Sequence, residues 1–229
     1  MLRELLLLSL IAVLFVCSHA SNVFEGFYPY LFHLNKLPTS TCDKQKLKEC
    51  GEEFFKNLGF AGNPADYNAF FGYLQRKYSN NEKQGFDAIC GALAKAQTCY
   101  GTGVLDCVSI SNLQSLGLDS TAAATYATWF QTMGVECKNQ KVVDESMPCI
   151  VKVQLDSGLK VENCSKSFDS EVSQHPDQIC QYGQQLLLCL SLLYTPCGEQ
   201  VEQVLCEAQK AAFEVSFPPK CSFDCSLSG

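Results

Sequence analysis

Cysteine is the residue type in this sequence with the clearest chemical potential. The chain has 229 residues, and 15 of them are cysteines, several times the usual share. One of these, Cys17, lies in an apolar N-terminal segment. The other fourteen are Cys42, Cys50, Cys90, Cys99, Cys107, Cys137, Cys149, Cys164, Cys180, Cys189, Cys197, Cys206, Cys221 and Cys225. Cysteines can bind zinc, act as nucleophiles or form disulfides, and their spacing helps to separate these roles.

The surrounding residues give little support for zinc binding or thiol catalysis. No two cysteines have the CxxC spacing, and only His33 and His175 lie beyond the N-terminal segment, so the usual zinc spacings are missing. A nucleophilic cysteine needs a free thiol. An even number of cysteines in an exported chain is instead typical of disulfides. The sequence therefore predicts up to seven disulfides at the fourteen positions, with no metal site and no cofactor.

Other residue combinations that could support catalysis have simpler structural explanations. His175 and Asp177 indicate either a His–Asp pair or, as we favour, a polar turn before a helix. Glu52 and Glu53 point about 100° apart on a helix and predict a solvated face. Residues 100–103 lack a preceding strand, so they predict a turn and not a phosphate loop. We expect no catalytic residues and no enzyme activity, with an atypical hydrolase as a remote alternative.

The N-terminus has the three-part layout of a secretory signal peptide. Arg3 lies in a short polar head, an apolar run follows from Leu5 to Cys17, and small residues end at Ala20. The run is too short to span a bilayer as a helix, which needs about 20 residues. We therefore predict that residues 1–20 are a signal peptide, that the mature chain is extracellular, and that it has no membrane span.

Composition narrows the range of partners. Charged residues make up 18% of the chain, apolar residues 47%, and the net charge is −7. An acidic chain is a poor match for nucleic acid, whose phosphates require a basic face. The apolar share is high enough for a folded core. We therefore expect no nucleic-acid partner.

A pattern of three cysteines occurs twice, 90 residues apart. The two sets are Cys90, Cys99 and Cys107, and Cys180, Cys189 and Cys197. Each set opens with a similar tetrapeptide, DAIC or DQIC, which indicates an internal duplication. We predict two tandem modules, residues 21–141 and 142–229, with the boundary in the polar stretch 138–145. They contain six and eight cysteines, so each could close its own bridges, but spacing leaves the connectivity open.

Apolar residues recur at helical spacing along most of the chain. The predicted helices include the segments 47–58, 67–78, 86–96, 126–137, 176–193 and 201–206. The predicted end signals are a Ser40–Asp43 capping box, Gly59 as a C-terminal cap, Asn63–Pro64 as a helix start, and Asp119 or Ser120 as an N-cap. Only Ile150 to Leu155 reads as a strand. The predicted class is all-α, with two tandem disulfide-stapled helical modules.

Three cysteine-containing segments carry a resemblance to a known type of domain. CDKQKLKEC, FDAICGALAKAQTCYGTGVLDC and GVEC resemble secreted cysteine-rich domains of unknown function that are expanded in nematodes. The resemblance covers roughly Cys42 to Cys137, and a weaker copy follows it. That copy departs from the pattern through additional cysteines, which are Cys149, Cys206 and Cys225. The resemblance implies an extracellular all-α protein with no assigned catalytic residues.

Aromatic residues are the remaining candidates for binding. The chain has 15 Phe, 9 Tyr and 1 Trp. An arm before the first module contains Phe24, Phe27, Tyr28, Tyr30 and Phe32. This arm could contact a partner or line an apolar pocket, but we favour packing against the first module. The helical residues Phe54, Phe55, Phe70 and Phe71 are expected in the core.

These observations favour binding over catalysis. The first hypothesis is an extracellular protein that binds another protein or a matrix component. The alternative is a carrier of a small apolar ligand, such as a lipid or fatty acid, which would need a cavity above about 300 Å³. Asn163 begins a glycosylation sequon with Cys164 in its middle, so it is a candidate glycan acceptor.

Overall fold

A computed structural model of the protein describes residues 42–101, 103–217 and 220–226. The predicted signal peptide, the aromatic arm, His33 and Ser40 lie outside the described residues. Every regular element in the described ranges is helical, which confirms the all-α class. The α-helices are α1 (Lys44–Leu58), α2 (Tyr67–Tyr78), α3 (Glu82–Tyr100), α4 (Val104–Cys107), α5 (Ile110–Ser115), α6 (Ser120–Lys138), α7 (Gln140–Asp156), α8 (Gly158–Gln174), α9 (Ile179–Ser191) and α10 (Glu199–Ser216). Short 3₁₀ segments, Pro176–Gln178 and Leu192–Cys197, flank α9.

Short polar side chains set several helix starts. Asp43 is the N-cap of α1 and accepts the Lys46 N–H at 3.0 Å, so its predicted place inside a capping box begun by Ser40 was wrong. Asp119 caps α6 in the same way, as predicted. Such a side chain satisfies one of the N–H groups that lack a partner in the first turn. At the other end of α1, Gly59 has a φ of 78° and donates to the Lys56 carbonyl, as predicted for a C-terminal cap.

The predicted helix start at Asn63–Pro64 was wrong. Helix α2 begins at Tyr67, because Asp66 accepts the Ala69 N–H at 2.9 Å. The Asn63 side chain instead accepts the N–H of Ala65 at 3.0 Å and forms a local turn. Asn63 and Asp66 are both typical N-cap residues. Asp66 is the N-cap, because α2 begins directly after it.

The predicted strand from Ile150 to Leu155 was also wrong, because this stretch belongs to α7. Val143, Met147, Ile150 and Val153 are buried. Their spacings of three and four residues place them on one face of a helix. The short β-branched run that suggested a strand is the end of this longer apolar stripe, which illustrates why short runs are ambiguous.

Seven disulfides pair the fourteen cysteines, and none joins a cysteine before residue 138 to one after residue 148. The pairs are Cys42–Cys107, Cys50–Cys99, Cys90–Cys137, Cys149–Cys197, Cys164–Cys189, Cys180–Cys221 and Cys206–Cys225. Numbered in chain order, the first six cysteines pair 1–5, 2–4 and 3–6. The second half repeats this order when Cys206 and Cys225 are set aside. Cys149, which the sequence treated as additional, is therefore the counterpart of Cys42.

The apolar core does not divide at the predicted module boundary. The larger cluster of buried side chains includes residues of α1 to α7 together with Tyr194, Val201 and Leu205. The smaller cluster lies between α8, α9 and the end of α10. Helix α10 contributes to both clusters and packs most extensively against α6. The predicted module boundary, between residues 141 and 142, falls in the first turn of α7, just after Asn139, which separates α6 from α7. The division into two modules stays a prediction.

Polar side chains are buried on the face of α6 that contacts α10. Thr128, Thr132 and Glu136 lie four residues apart and are all buried, so they share one face. Thr128 and Ser216 pair through their hydroxyls at 3.3 Å, at the end of α10. Glu136 lies at the other end, close enough to Tyr194 to raise the pKa of that phenol beyond the effect of burial. The two helices are therefore antiparallel.

Burial of Glu136 should make the stability of the fold depend on pH. Burial raises the pKa of its carboxyl from 4.5 to about 8. Between these values the unfolded chain loses this proton while the folded chain retains it, so the free energy of unfolding should fall as pH rises. The steepest slope is about 1.4 kcal/mol per pH unit. Above about pH 8 this contribution should level off.

The test is denaturant unfolding of wild type and Glu136→Gln at pH 5, 6.5 and 8. In Glu136→Gln the free energy of unfolding should no longer decline with pH through this group, so the variant should gain most stability over wild type at pH 8. Glu214→Gln, on the exposed side of α10, removes the same charge and should follow the wild-type profile. Parallel profiles for wild type and Glu136→Gln would contradict the assignment.

Candidate functional site

His175 and Asp177 lie in a turn and do not form a pair. Both are exposed, at the junction between α8 and the 3₁₀ segment. The His175 backbone donates to the Glu171 carbonyl at 2.8 Å and its carbonyl accepts from Gln178 at 3.0 Å. No hydrogen bond or ion pair joins the two side chains within the described chain. The arrangement is a helix-to-helix turn, and it gives His175 no carboxylate partner.

The other sequence candidates are also on the surface. Glu52 and Glu53 are exposed on α1. Helix α3 ends at Tyr100, and Gly101 follows with a φ of 113°. Within the described ranges, no three His, Cys, Asp or Glu side chains are grouped as a metal site would require. In the same ranges, no helix is both long and apolar enough to cross a membrane.

An apolar cavity of about 260 Å³ lies in the first half. It lies between α1, α3, α4, α5 and α6, and the loop before α2 closes one side. The lining residues are Leu47, Lys48, Cys50, Gly51, Glu52, Phe54, Phe55, Asn63, Pro64, Ala65, Leu93, Ala96, Val104, Leu105, Val108, Leu113, Leu116, Gly117, Leu118, Tyr126 and Phe130. Aliphatic and aromatic side chains dominate this lining, as expected for a site that takes apolar ligands.

Two disulfides fix the separation of the cavity walls. Cys50–Cys99 joins α1 to α3 with 5.7 Å between the Cα atoms. Cys42–Cys107 joins the start of α1 to α4 at the same separation. Because α1, α3 and α4 all line the cavity, these bridges limit how far the walls can move inward. The cavity is therefore built into the covalent framework of the first half.

Aromatic rings form the deep side of the cavity. The rings of Phe54 and Phe130 lie 4.9 Å apart in an edge-to-face arrangement, and those of Phe55 and Tyr126 lie 5.8 Å apart. Trp129, which does not line the cavity, packs against Phe54 with 6.0 Å between the ring centroids. Such contacts hold each ring in one orientation. Phe54 is buried, as predicted, but it also lines a cavity, which the periodicity of α1 does not reveal.

Polar groups occur at the rim and at one buried position. Lys48, Glu52 and Asn63 are exposed where the cavity meets solvent. Tyr126 is only 2% exposed, and its buried hydroxyl has no hydrogen-bond partner in the described chain. Burial, and to a lesser extent the charge of Asp66, raises the pKa of this phenol. Tyr126 is therefore a neutral hydroxyl that offers one donor and one acceptor.

Gly51 leaves an opening in the helical wall. It lies in the interior of α1, where glycine costs about 1 kcal/mol relative to alanine. A Cβ placed there would meet no other atom within 4 Å. The residue lines the cavity, so the absent side chain adds to its volume. A glycine inside an otherwise regular amphipathic helix was the one sequence signal that could have indicated this site.

The unpaired hydroxyl of Tyr126 predicts an unusual effect of its removal. Tyr126→Phe should raise the free energy of unfolding by about 1 kcal/mol, because a buried hydroxyl without a partner costs free energy. Tyr73→Phe is the matched control, since the Tyr73 hydroxyl donates to the Leu58 carbonyl at 2.7 Å. That control should be about 1 kcal/mol less stable than wild type. Denaturant titration measures both, and equal losses in the two variants would contradict the assignment.

Comparison of the chain with protein-family models, with curated proteins and with solved structures finds no match. The geometry of the cavity therefore has to support any proposal about function.

Proposed function

We propose that this chain is an extracellular, non-enzymatic binding protein whose first half holds a small apolar ligand in the cavity between α1, α3 and α6. The observation that carries the proposal is the cavity itself, about 260 Å³ with a largely apolar lining. Protein interiors are normally close-packed. An apolar recess of this size, bordered by two disulfides and by packed aromatic rings, is a feature that a ligand would explain.

The volume limits the size of the ligand. Sites for drug-sized molecules begin at about 300 Å³, slightly above the value here. A cavity of about 150 Å³ suffices for benzene. A single or fused ring, or a short aliphatic chain, matches the space better than a long-chain fatty acid. The ligand class is therefore smaller than the lipid carrier hypothesis suggested.

The lining supports a preference for apolar rings. Aliphatic and aromatic side chains dominate it, so a ring would contact them over most of its surface. The Tyr126 hydroxyl is shielded within the protein, so the ligand does not need a partner for it. This lining favours small aromatic molecules.

Rigid cavity walls support ligand affinity, because few side chains or loops have to become ordered when the ligand binds. The disulfides Cys50–Cys99 and Cys42–Cys107 hold the walls before a ligand arrives. A preorganised site avoids part of the entropic cost of association. Small ligands have few contacts, so this saving matters more for them than for large ones.

The compartment is part of the same proposal. Seven disulfides are typical of oxidising compartments, and the N-terminal segment matches a signal peptide cleaved after Ala20.

We include in the proposal an internal duplication, supported by the shared bridge order, and a glycan on Asn163, which is exposed on α8. Protein secreted by cultured eukaryotic cells should begin at Ser21, and its mass should fall on enzymatic removal of N-glycans.

Binding to an extracellular protein or matrix component is the second candidate function. Its supporting observation is a set of exposed leucines, Leu155, Leu159 and Leu192, which are 48%, 77% and 56% exposed. A contiguous patch of such side chains would favour macromolecular contact. Changing all three to aspartate should abolish that contact and leave small-ligand binding intact. If loss of the cavity removed both activities, the two functions would share one site.

The direct test is calorimetric titration of the secreted protein with indole. We expect one indole per chain and at least a tenfold weaker affinity in Gly51→Leu, whose side chain would fill the space beside the cavity. Gly91→Leu is the matched control. Gly91 is an exposed helical glycine on α3 that likewise has no atom within 4 Å of a Cβ position, and it does not line the cavity.

Both leucine variants should be more stable than wild type, because leucine favours helix over glycine by up to about 1 kcal/mol. Weaker binding in Gly51→Leu alone therefore cannot come from loss of fold. No binding to wild type, or equal binding by both variants, would contradict the proposal.

A further inference from the structure

The second half contains counterparts of the two helices that form the main walls of the cavity. Cys50 is the seventh residue of α1, and Cys164 is the seventh residue of α8. Each is the second cysteine of its half and pairs with the fourth. The buried residues also correspond, since α1 buries Cys50, Phe54 and Leu58, and α8 buries Cys164, Phe168 and Val172. The two helices therefore present equivalent faces.

Helices α3 and α9 correspond without gaps. Their cysteines are offset by 90 residues, so Leu93 of the cavity wall corresponds to Gly183. Both are buried. The first half has a leucine at this position, and the second half has a glycine, on the buried side of α9. A side chain of the wall is missing there, and another group takes up the space.

Two phenyl rings occupy that space. A Cβ at Gly183 would lie 2.5 Å from the ring of Phe217 and 3.0 Å from the ring of Phe223. Phe217 directly follows α10 and stacks on Phe213 at 5.0 Å, so it continues the apolar face of that helix. In an ungapped alignment of Cys221 with Cys137, Phe217 and Phe213 fall at the positions of Met133 and Trp129, although α6 continues through Cys137 and α10 ends at Ser216. By sequence position, both rings therefore have counterparts in the first half.

Phe223 has no such counterpart, because it comes from the tail, residues 220–226. After Cys137 the first half continues into α7, whereas after Cys221 the tail folds back onto α9. Phe223 is 3% exposed, and its ring lies 5.0 Å from that of Phe217. The tail is thus the part of the second half that lacks an equivalent in the first.

Additional bonds hold the tail in this position. Cys206–Cys225 is the one disulfide outside the shared bridge order, and it joins the tail to α10. Gln184, next to Gly183, donates its side-chain amide to the Asp224 carbonyl at 2.8 Å and accepts the Asp224 N–H at 2.8 Å. Both contacts involve the two residues that directly follow Phe223, and they hold the tail against α9 and α10.

We propose that the second half contains a closed counterpart of the ligand cavity, and that the ring of Phe223 occupies it as a built-in ligand. The seventh disulfide secures this occupant. Because the occupant is a phenyl ring, we expect the equivalent walls of the first half, α1 and α3, to accept a single aromatic ring as well. This inference deepens the proposed function and rests on it for the chemistry of the ligand, but the closed site can be tested separately.

The test is benzene titration followed by methyl NMR of the full mature chain. Phe223→Ala should open the second site, with saturable shifts at Val172 and Leu186 and at least tenfold tighter apparent affinity there than in wild type. Phe213→Ala is the control, because it removes a buried ring of α10 from the same cluster. Truncation of any buried ring leaves an apolar cavity, so this control measures the benzene affinity of an ordinary void, and Phe223→Ala should bind at least tenfold more tightly than it does.

A second variant covers the case in which Phe223→Ala does not fold. Cys206→Ser with Cys225→Ser removes the seventh disulfide and keeps every core phenyl ring, while Cys180–Cys221 remains. With this bridge gone the tail should open more readily, and the variant should bind benzene in the second half as well. Absence of second-half binding in the folded variants would overturn the inference, as would equal binding by Phe213→Ala. Second-half binding together with a silent first cavity would support the closed site and contradict the proposed function.

Discussion

The spacing of two cysteines along one helix is the constraint on which the rest of the structure depends. In α3, Cys90 and Cys99 lie nine residues apart, which is two and a half turns. They therefore point to different sides of the helix. One is bonded to α1 and the other to the end of α6. A single helix is thus fixed between two neighbours. Around α9, the bridges in the same order lead to α8 and to the tail.

This framework explains how the protein can maintain a cavity. The apolar lining of the cavity lacks packing partners on its open side and so loses dispersion contacts. Each disulfide can contribute about 2–4 kcal/mol by restricting the unfolded chain. The bridges that join the cavity walls therefore compensate for poor packing and also resist collapse. In the second half, where the tail fills the corresponding space, the core is closed by aromatic contacts instead.

Much of the fold follows from local patterns, whereas the site does not. The stripe of Cys50, Phe54 and Leu58 and the cap at Gly59 are readable because helix periodicity and left-handed glycine caps are local. The start of α2 was misplaced because Asp66 and Asn63 are both good cap residues. Apart from Gly51, residue type gives no indication of the cavity, since its volume depends on the distance between helices. Glu136 was missed because its burial arises from tertiary packing, which the periodicity of α6 does not reveal.

The most direct test of this account is disulfide mapping of the secreted protein by mass spectrometry of non-reduced proteolytic peptides. The account predicts Cys50 linked to Cys99 and Cys164 linked to Cys189, with the remaining bridges in the same order in both halves. It also predicts one additional bridge, Cys206–Cys225. A bridge between the two halves, or a different partner for Cys99 or Cys189, would contradict the shared framework and the cavity that depends on it.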